Sequence, residues 1–314
     1  MNFLLSKVLN QQILFSFVTG ISLGYLFSIY RINICEPYQI DLSNKVELKI
    51  NPIESLKNQY KVRNIIALVF YGRQISARIL FRYLEKNLKI NGGILDKILI
   101  AVRTDNKEDL NFIDAYLNQV DNKDCYMRSN FSSSSNYKTL YTILHDDDLV
   151  FKIDDDVVFI SKGTFEKMFE EYLKNNHFIL SANVVNHPQL SYVHARLRAI
   201  LPFYEVKEFM WEKSRNESEE IDATLAMGTN YGPTSKWWEN PKLAAIAHES
   251  FLHHASNGNL DIYDFNVWDF NIVEYHRWSI NFIVIWGKYL NRINSTHFHI
   301  PSDEVGIYLF FFLF

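Results

Sequence analysis

The sequence predicts an α/β protein: a mostly parallel central sheet flanked by helices, behind an N-terminal transmembrane helix. Three observations predict it. Over residues 63–185, short apolar runs alternate with segments of helical period, the signature of βαβ units and a parallel sheet. Near the N-terminus stands an uncharged stretch of bilayer length. And three consecutive aspartates close one of the apolar runs, at the end of the sheet where such folds keep their ligands.

Length and composition set the bounds. A chain of 314 residues is long enough for one large domain or two small ones, with ample core. Hydrophobic residues make up 48% and charged residues 22%, the balance of a folded protein. A formal net charge of −4 speaks against a nucleic-acid partner.

The first element is the membrane span. No charged side chain occurs between Lys7 and Arg31, and the core of that gap reads ILFSFVTGISLGYLFSIY, Ile13 to Tyr30. As a helix it reaches about 27 Å, roughly the hydrocarbon thickness. It is long for a signal-peptide core, and no small-x-small cleavage site follows it. It therefore reads as a signal anchor over residues 12–30, after a cytosolic tail at 1–11. Three glycosylation sequons, at Asn130, Asn216 and Asn294, support a lumenal body. The expectation is a single-pass type II protein of the Golgi or ER membrane, held there by its N-terminal helix. Residues 31–62, with Pro37 and Pro52, read as a stem, and 63–314 as the body. Cys35 and Cys125 are the only cysteines, so the core has to supply the stability.

Within the body, Ile65 to Phe70 is a continuous apolar run, a buried parallel strand. ISARILFRYLEKNL follows as a helix, with Ile75, Ile79, Leu80, Leu84 and Leu88 assigned to its core face and Gly92-Gly93 as its stop. Lys97 to Thr104 is a second strand. NKEDLNFIDAYLNQV is a helix with acids in its first turn, and CYMRSN a short third strand. Ser135 to His145 is helical, LVFKI a strand, KGTFEKMFEEYLKNN a helix and FILSANVV a strand. Residues 187–300 are richer in aromatics and less regular. HESFLHH there is helical, and its histidines lack the HExxH spacing that would point to zinc.

The chemistry lies in DLVFKIDDDVVFI. Carboxylates a few ångströms apart disfavour one another's charge unless a cation neutralises them. Asp154, Asp155 and Asp156 stand between the apolar VFKI and VVFI, where burying them without a cation is costly. A hard divalent ion, Mg²⁺ or Mn²⁺, prefers oxygen ligands and keeps positions for substrate phosphates. An earlier acidic run, Asp146 to Asp148, reads as a solvated linker.

The segment YKTLYTILHDDDLVFKIDDDVVFI resembles the helix–strand–DxD segment of GT-A-fold glycosyltransferases. It is most similar to that of the type II membrane β-1,3-galactosyltransferase-like enzymes, in which a Lys-Thr pair precedes K-x-DDD-V. Here Lys138-Thr139 and Lys152 to Val157 stand in those places, and the likeness extends over residues 63 to about 185. It implies a GT-A-like body, a nucleotide-sugar donor, a divalent ion on the DxD, and transfer to a hydroxyl of a glycan or glycoprotein acceptor. Carried over, Asp154 and Asp156 are the DxD pair, with Asp156 in direct metal contact. Asp155 reaches the ribose or sugar of the donor. Tyr71, Gly72 and Arg73 lie against the nucleotide, and Arg73 or Lys138 neutralises phosphate.

An inverting transferase also needs a carboxylate base. Related enzymes place an acidic pair before a Val late in the domain, and SDEVG resembles it. Asp303 or Glu304 is then the base, with Asp269 in reserve. The family commonly supplies a further metal ligand, often His, near the C-terminus. No His follows Asp303; His297 and His299 precede it. With the apolar ending IYLFFFLF, this suggests a C-terminally truncated chain. Two other classes fit parts of the pattern. Asp-x-Asp-x-Val from Asp154 matches haloacid-dehalogenase-like phosphatases, whose first Asp is a nucleophile but lies on the first strand. A membrane-tethered sugar-binding protein without activity is the third reading.

Overall fold

The computed structural model describes residues 52–130, 138–175, 177–185, 187–200, 241–265 and 280–295. Its centre is β1, Ile65–Tyr71, a strand whose residues are almost all buried. That burial on both faces is what its unbroken apolar run demanded. On one side it pairs in parallel with β2, Lys97–Val102, and β2 with β3, Tyr126–Asn130. On its other side lies β4, Leu149–Asp154, also parallel. β6, Phe282–Trp286, runs antiparallel to β4, and the two-residue β5, Leu180–Ser181, antiparallel to β6. The sheet order is β3-β2-β1-β4-β6-β5. The result is a mixed α/β fold on a six-stranded, mostly parallel sheet.

Helices cover both faces. The alternating side chains of β1 sort the core into two layers. Ile65, Ala67, Val69 and Tyr71 face one layer, where α2 (Gln74–Asn87), α3 (Lys107–Gln119) and α5 (Thr164–Lys174) insert Leu80, Phe81, Leu84, Ile113, Phe165 and Phe169. Ile66 and Leu68 face the other, with Leu140 and Tyr141 from α4 (Lys138–Tyr141), Leu144 beyond it, and Leu290 from α8 (Gly287–Ser295). Each such large side chain, fully buried, contributes roughly 1.5–3 kcal/mol. α1 (Pro52–Tyr60), α6 (Pro188–Arg196) and α7 (Pro241–Ser256) complete the described α-helices. Among the described residues no helix is long and apolar enough to cross a membrane; the stretch Ile13 to Tyr30 lies outside them.

Several expectations are corrected. The core face of α2 is Ala77, Leu80, Phe81 and Leu84, and Ile75 is 83% exposed. Leu80, Leu84 and Leu88 are buried as expected, while Ile75 and Ile79 are exposed and Ala77 and Phe81 take their places in the core. FILSANVV forms a strand only at Leu180–Ser181. β6 was not foreseen: its run FIVIW is embedded in an aromatic stretch without the helix–strand rhythm of the first half. Residues 52–60, in the span read as stem, form α1 (Pro52–Tyr60). Its Lys57 ammonium sits 2.7 Å from Asp96, and Ile53, Leu56 and Tyr60 pack on the core.

The first acidic run is not solvated linker throughout. Asp148 is buried; it accepts from Asn64 Nδ2 at 2.9 Å and from the His145 amide at 2.8 Å. Asp146 accepts from Asn291 Nδ2 of α8 at 2.7 Å. The backbone amide of Gly287, where β6 turns into α8, donates to the Asp148 carbonyl at 2.8 Å. A Cβ on Gly287 would lie 2.0 Å from the His145 carbonyl oxygen. Only glycine lets these two chain segments touch.

Candidate functional site

The chain runs β1, β2, β3 outward in one direction and then returns to lay β4 on the opposite side of β1. The carboxyl ends of β1 and β4 therefore flank a topological switch point, where open α/β sheets bind ligands. The register sets Phe70 beside Asp154. Tyr71, Gly72 and Arg73 leave one strand while Asp155 and Asp156 leave the other. Residues 72 and 155, far apart in sequence, become neighbours.

The three aspartates have three different environments. Asp155 is 3% exposed. Its Oδ2 accepts from the Gly72 and Arg73 amides at 2.7 and 2.6 Å, and its Oδ1 from Arg73 Nε and Nη2 at 3.0 and 2.5 Å. Those amides sit at the N-terminus of α2, so the carboxylate also meets the positive end of the helix. The next amide, of Gln74, is taken at 2.8 Å by Asp109 of α3. The expectation that Asp155 reaches for the ribose or sugar of a donor meets a side chain whose oxygens already hold four donors.

Asp154 has a different partner. Its Oδ1 receives Lys152 Nζ at 2.5 Å, and the same ammonium donates to the Ile280 carbonyl at 2.9 Å and lies 5.1 Å from the Phe70 ring centroid. Lys152 is 1% exposed, whereas the Asp154 side chain keeps 27% of its surface open. Asp156 is the most open of the three, 45% exposed, with Arg73 Nη2 at 3.1 Å. Among the described residues Lys152 and Arg73 are the protein's own cations on the triplet. Lys152 stands inside the K-x-DDD-V pattern and joins the site although the sequence pattern alone gives it no role there. The signal for it was a lone lysine at an inward position of a buried strand.

The flank after the triplet differs from expectation too. Of VVFI only Ile160 is buried; Val158 and Phe159 are exposed. The triplet opens a turn, with the Val157 amide donating to the Asp154 carbonyl at 3.2 Å. Only Asp155 is fully desolvated, and its compensation comes from Arg73 and backbone amides. Burial alone no longer demands a metal.

Arg73 and Tyr71 complete the near side. Burial disfavours the guanidinium charge, but hydrogen bonding and the field of Asp155, with Asp156 adding, outweigh it and raise the Arg73 pKa above the ordinary arginine value. Burial, with the fields of Asp109 and Asp155, pushes the Tyr71 phenol well above its usual range. Tyr71 stays neutral and donates to the Asp109 carbonyl at 2.7 Å. Its ring lies 6.2 Å from that of Phe81 and 6.4 Å from that of Phe112, which makes it a wall of the core rather than a nucleotide platform.

Of the remaining expected site residues, Lys138 opens α4. Asp269, Asp303 and Glu304 lie outside the described residues, as do His297 and His299. Among the described residues no group of three or more His, Cys, Asp or Glu comes together as a metal set. Asp154 and Asp156 offer two part-exposed carboxylates. Mg²⁺ is commonly held by one or two carboxylates plus substrate phosphates and water, so this donor chemistry suits such an ion. The phosphatase pattern wants its nucleophile on the first strand; Asp154 closes the fourth, with Lys152 on its Oδ1.

No family model matches the chain, and neither does any curated protein. Among solved structures it is similar to 4-diphosphocytidyl-2C-methyl-D-erythritol synthase from Anaerococcus prevotii DSM 20548, at 14% identity and a TM-score of 0.29. The likeness covers 40% of this chain and 61% of that one, less than two thirds of the enzyme's length. A likeness at that level bears on neither fold nor function.

Proposed function

We infer that the chain is a metal-dependent glycosyltransferase of GT-A type. It moves a sugar from a nucleotide-sugar donor, in the first instance a UDP-sugar, to an acceptor hydroxyl on a glycan or glycoprotein. Its place is the lumenal side of a Golgi or ER membrane, to which residues 12–30 would anchor it. The observation that carries the reading is the position of Asp154 and Asp156. They lie on the rim of a parallel sheet, at the switch point between β1 and β4.

The electrostatics support a cation-mediated donor site over a simple anion site. A helix N-terminus binds phosphate through free amides. At α2 the amides of residues 72, 73 and 74 are already taken by Asp155 and Asp109. A diphosphate approaching three carboxylates through this mouth needs a positive partner. Mg²⁺ or Mn²⁺ on Asp156 and Asp154, when bound, supplies Lewis-acid stabilisation of charge on the departing nucleoside diphosphate. The protein's own parts are then clear. Asp155 ties the β4 end to the start of α2. Lys152 orients Asp154. Arg73 keeps a permanent positive charge at the mouth. The base that takes the acceptor proton is assigned to Asp303 or Glu304, with Asp269 as the alternative.

The test is donor turnover by the full chain. UDP- and GDP-sugars are screened with Mn²⁺ and with EDTA, and nucleoside diphosphate release is followed. Release that needs Mn²⁺ and disappears in Asp156→Ala supports the reading. A phosphoaspartate at Asp154, or glycan binding without metal or turnover, would replace it with another class.

A further inference from the structure

We propose that Arg73 is the resident counter-ion of Asp156, and that it gives up this carboxylate to a divalent cation and turns to the diphosphate the cation brings. The proposal rests on the reading of the triplet as a donor site. The two cations of the triplet are built differently, and the difference carries the argument.

Lys152 is fixed. Its ammonium is buried, pinned between Asp154 and the Ile280 carbonyl, and sits against the Phe70 ring. Leaving Asp154 would give up a 2.5 Å ion pair where water does not reach the ammonium. Arg73 is anchored at one end and open at the other. Nε holds Asp155 at 3.0 Å, while Nη2 bridges Asp155 at 2.5 Å and Asp156 at 3.1 Å. Its side chain is largely exposed. The Asp156 contact can therefore be lost without losing the Asp155 anchor, because the guanidinium has five donors in a planar fork. That fork matches a phosphate as well as a carboxylate.

The arrangement answers a physical problem at the rim. Asp156 is the most open carboxylate of the triplet, and a divalent ion at the rim would meet it first. Yet the ion has to displace Nη2 from its best ligand. Metal alone is then held weakly. Metal with a diphosphate is held well, since the displaced guanidinium regains an anion. Arg73 thereby couples cation and donor binding, as a positioning residue acting through Asp156.

The test is a Mn²⁺ titration of the full chain by electron paramagnetic resonance, with and without UDP, for the natural protein, Arg73→Gln and Arg73→Lys. Far-UV circular dichroism and thermal unfolding establish that each is folded. Arg73→Gln is expected to bind Mn²⁺ alone roughly two- to fivefold more tightly, the release of a partly exposed ion pair. In the presence of UDP it should bind about tenfold more weakly, the loss of charged hydrogen bonds to phosphate. A merely structural loss would weaken both. Arg73→Lys, which keeps a charge but cannot span both carboxylates, shifts each affinity the same way by less. It decides the matter if the glutamine variant does not fold. Folded variants with unchanged or weaker Mn²⁺ affinity overturn the inference and leave the donor-site reading standing. No Mn²⁺ binding by the natural protein, with UDP or without, overturns both.

Discussion

Lys152 Nζ lies 2.5 Å from Asp154 Oδ1, and the two partners are unequally buried. The ammonium is sealed inside the sheet edge while the carboxylate reaches solvent. This asymmetry predicts unequal costs when either partner is removed. Asp154→Asn removes the carboxylate charge 2.5 Å from a buried ammonium and should destabilise the fold by about 2–4 kcal/mol, the range for breaking a buried pair with allowance for the open side. Lys152→Met leaves a carboxylate that water can solvate and should cost about 1 kcal/mol or less. The double variant should be more stable than Asp154→Asn alone. Urea unfolding of the three proteins measures this. Equal costs for the two single variants would contradict the asymmetry.

Asp155 is expected to behave as a structural residue. Asp155→Asn removes the charge from a side chain that holds two backbone amides and a guanidinium, and presents an amide NH2 toward donors. The cost should be about 3–5 kcal/mol, against less than about 1 kcal/mol for Asp156→Asn, whose carboxylate is 45% exposed. Chemical denaturation separates them. The neighbours Asp155 and Asp156 then divide cleanly, one into stability and one into ligand binding.

Gly287 gives a purely steric prediction. An alanine Cβ there would overlap the His145 carbonyl, a backbone atom that has no rotamer to escape into. Gly287→Ala should cost several kcal/mol, above roughly 3, since backbone must shift on both sides of the junction. Gly92→Ala, at φ 90° with nothing near its Cβ, should cost about 1–2 kcal/mol from conformation alone. Comparing their unfolding midpoints distinguishes collision from strain.

A pH dependence follows from His194. It is fully buried, with Nε2 2.7 Å from Asn183 Oδ1 and its ring 5.0 Å from that of Tyr263. Asn183 Nδ2 donates to the Tyr263 carbonyl at 2.8 Å, which fixes Oδ1 toward the imidazole. Burial lowers its pKa from 6.5 to about 3, with the Val185 backbone weakly opposing. Between those values the unfolded chain binds a proton that the folded chain does not, so stability rises with pH across the window. The contribution is complete above pH 6.5 and is lost as pH falls toward 3, with a slope of up to about 1.4 kcal/mol per pH unit. Unfolding free energies at pH 7, 6 and 5 should show this slope, reduced in His194→Asn. An unchanged slope in that variant would place the acid sensitivity elsewhere.

The legible part of the sequence was the first half. Unbroken apolar runs such as Ile65 to Phe70 are diagnostic because a parallel strand is buried on both faces, and β1 to β4 came out within one or two residues. The strand end carrying the triplet was legible for the same reason. What stayed hidden depended on contacts distant in sequence. Nothing in DDD announces that its middle member belongs to Gly72 and Arg73, because that fact needs β1 and β4 side by side. Nor does HDDDL announce that Asp148 is buried, since its partner Asn64 and the Gly287 junction lie far along the chain. On α2 the leucines at 80, 84 and 88 are legible as core, but Ile75 and Ile79 mimic a continuation of that stripe and lie exposed. β6 was missed because an antiparallel insertion breaks the βα rhythm that exposed the others.

The most direct measurement is calorimetric titration of UDP into the full chain with Mn²⁺ present and with EDTA, beside Asp156→Ala. The account predicts heat of binding only with Mn²⁺, and none from the variant although its unfolding is unchanged. UDP binding that ignores both the metal and the loss of Asp156 would contradict it.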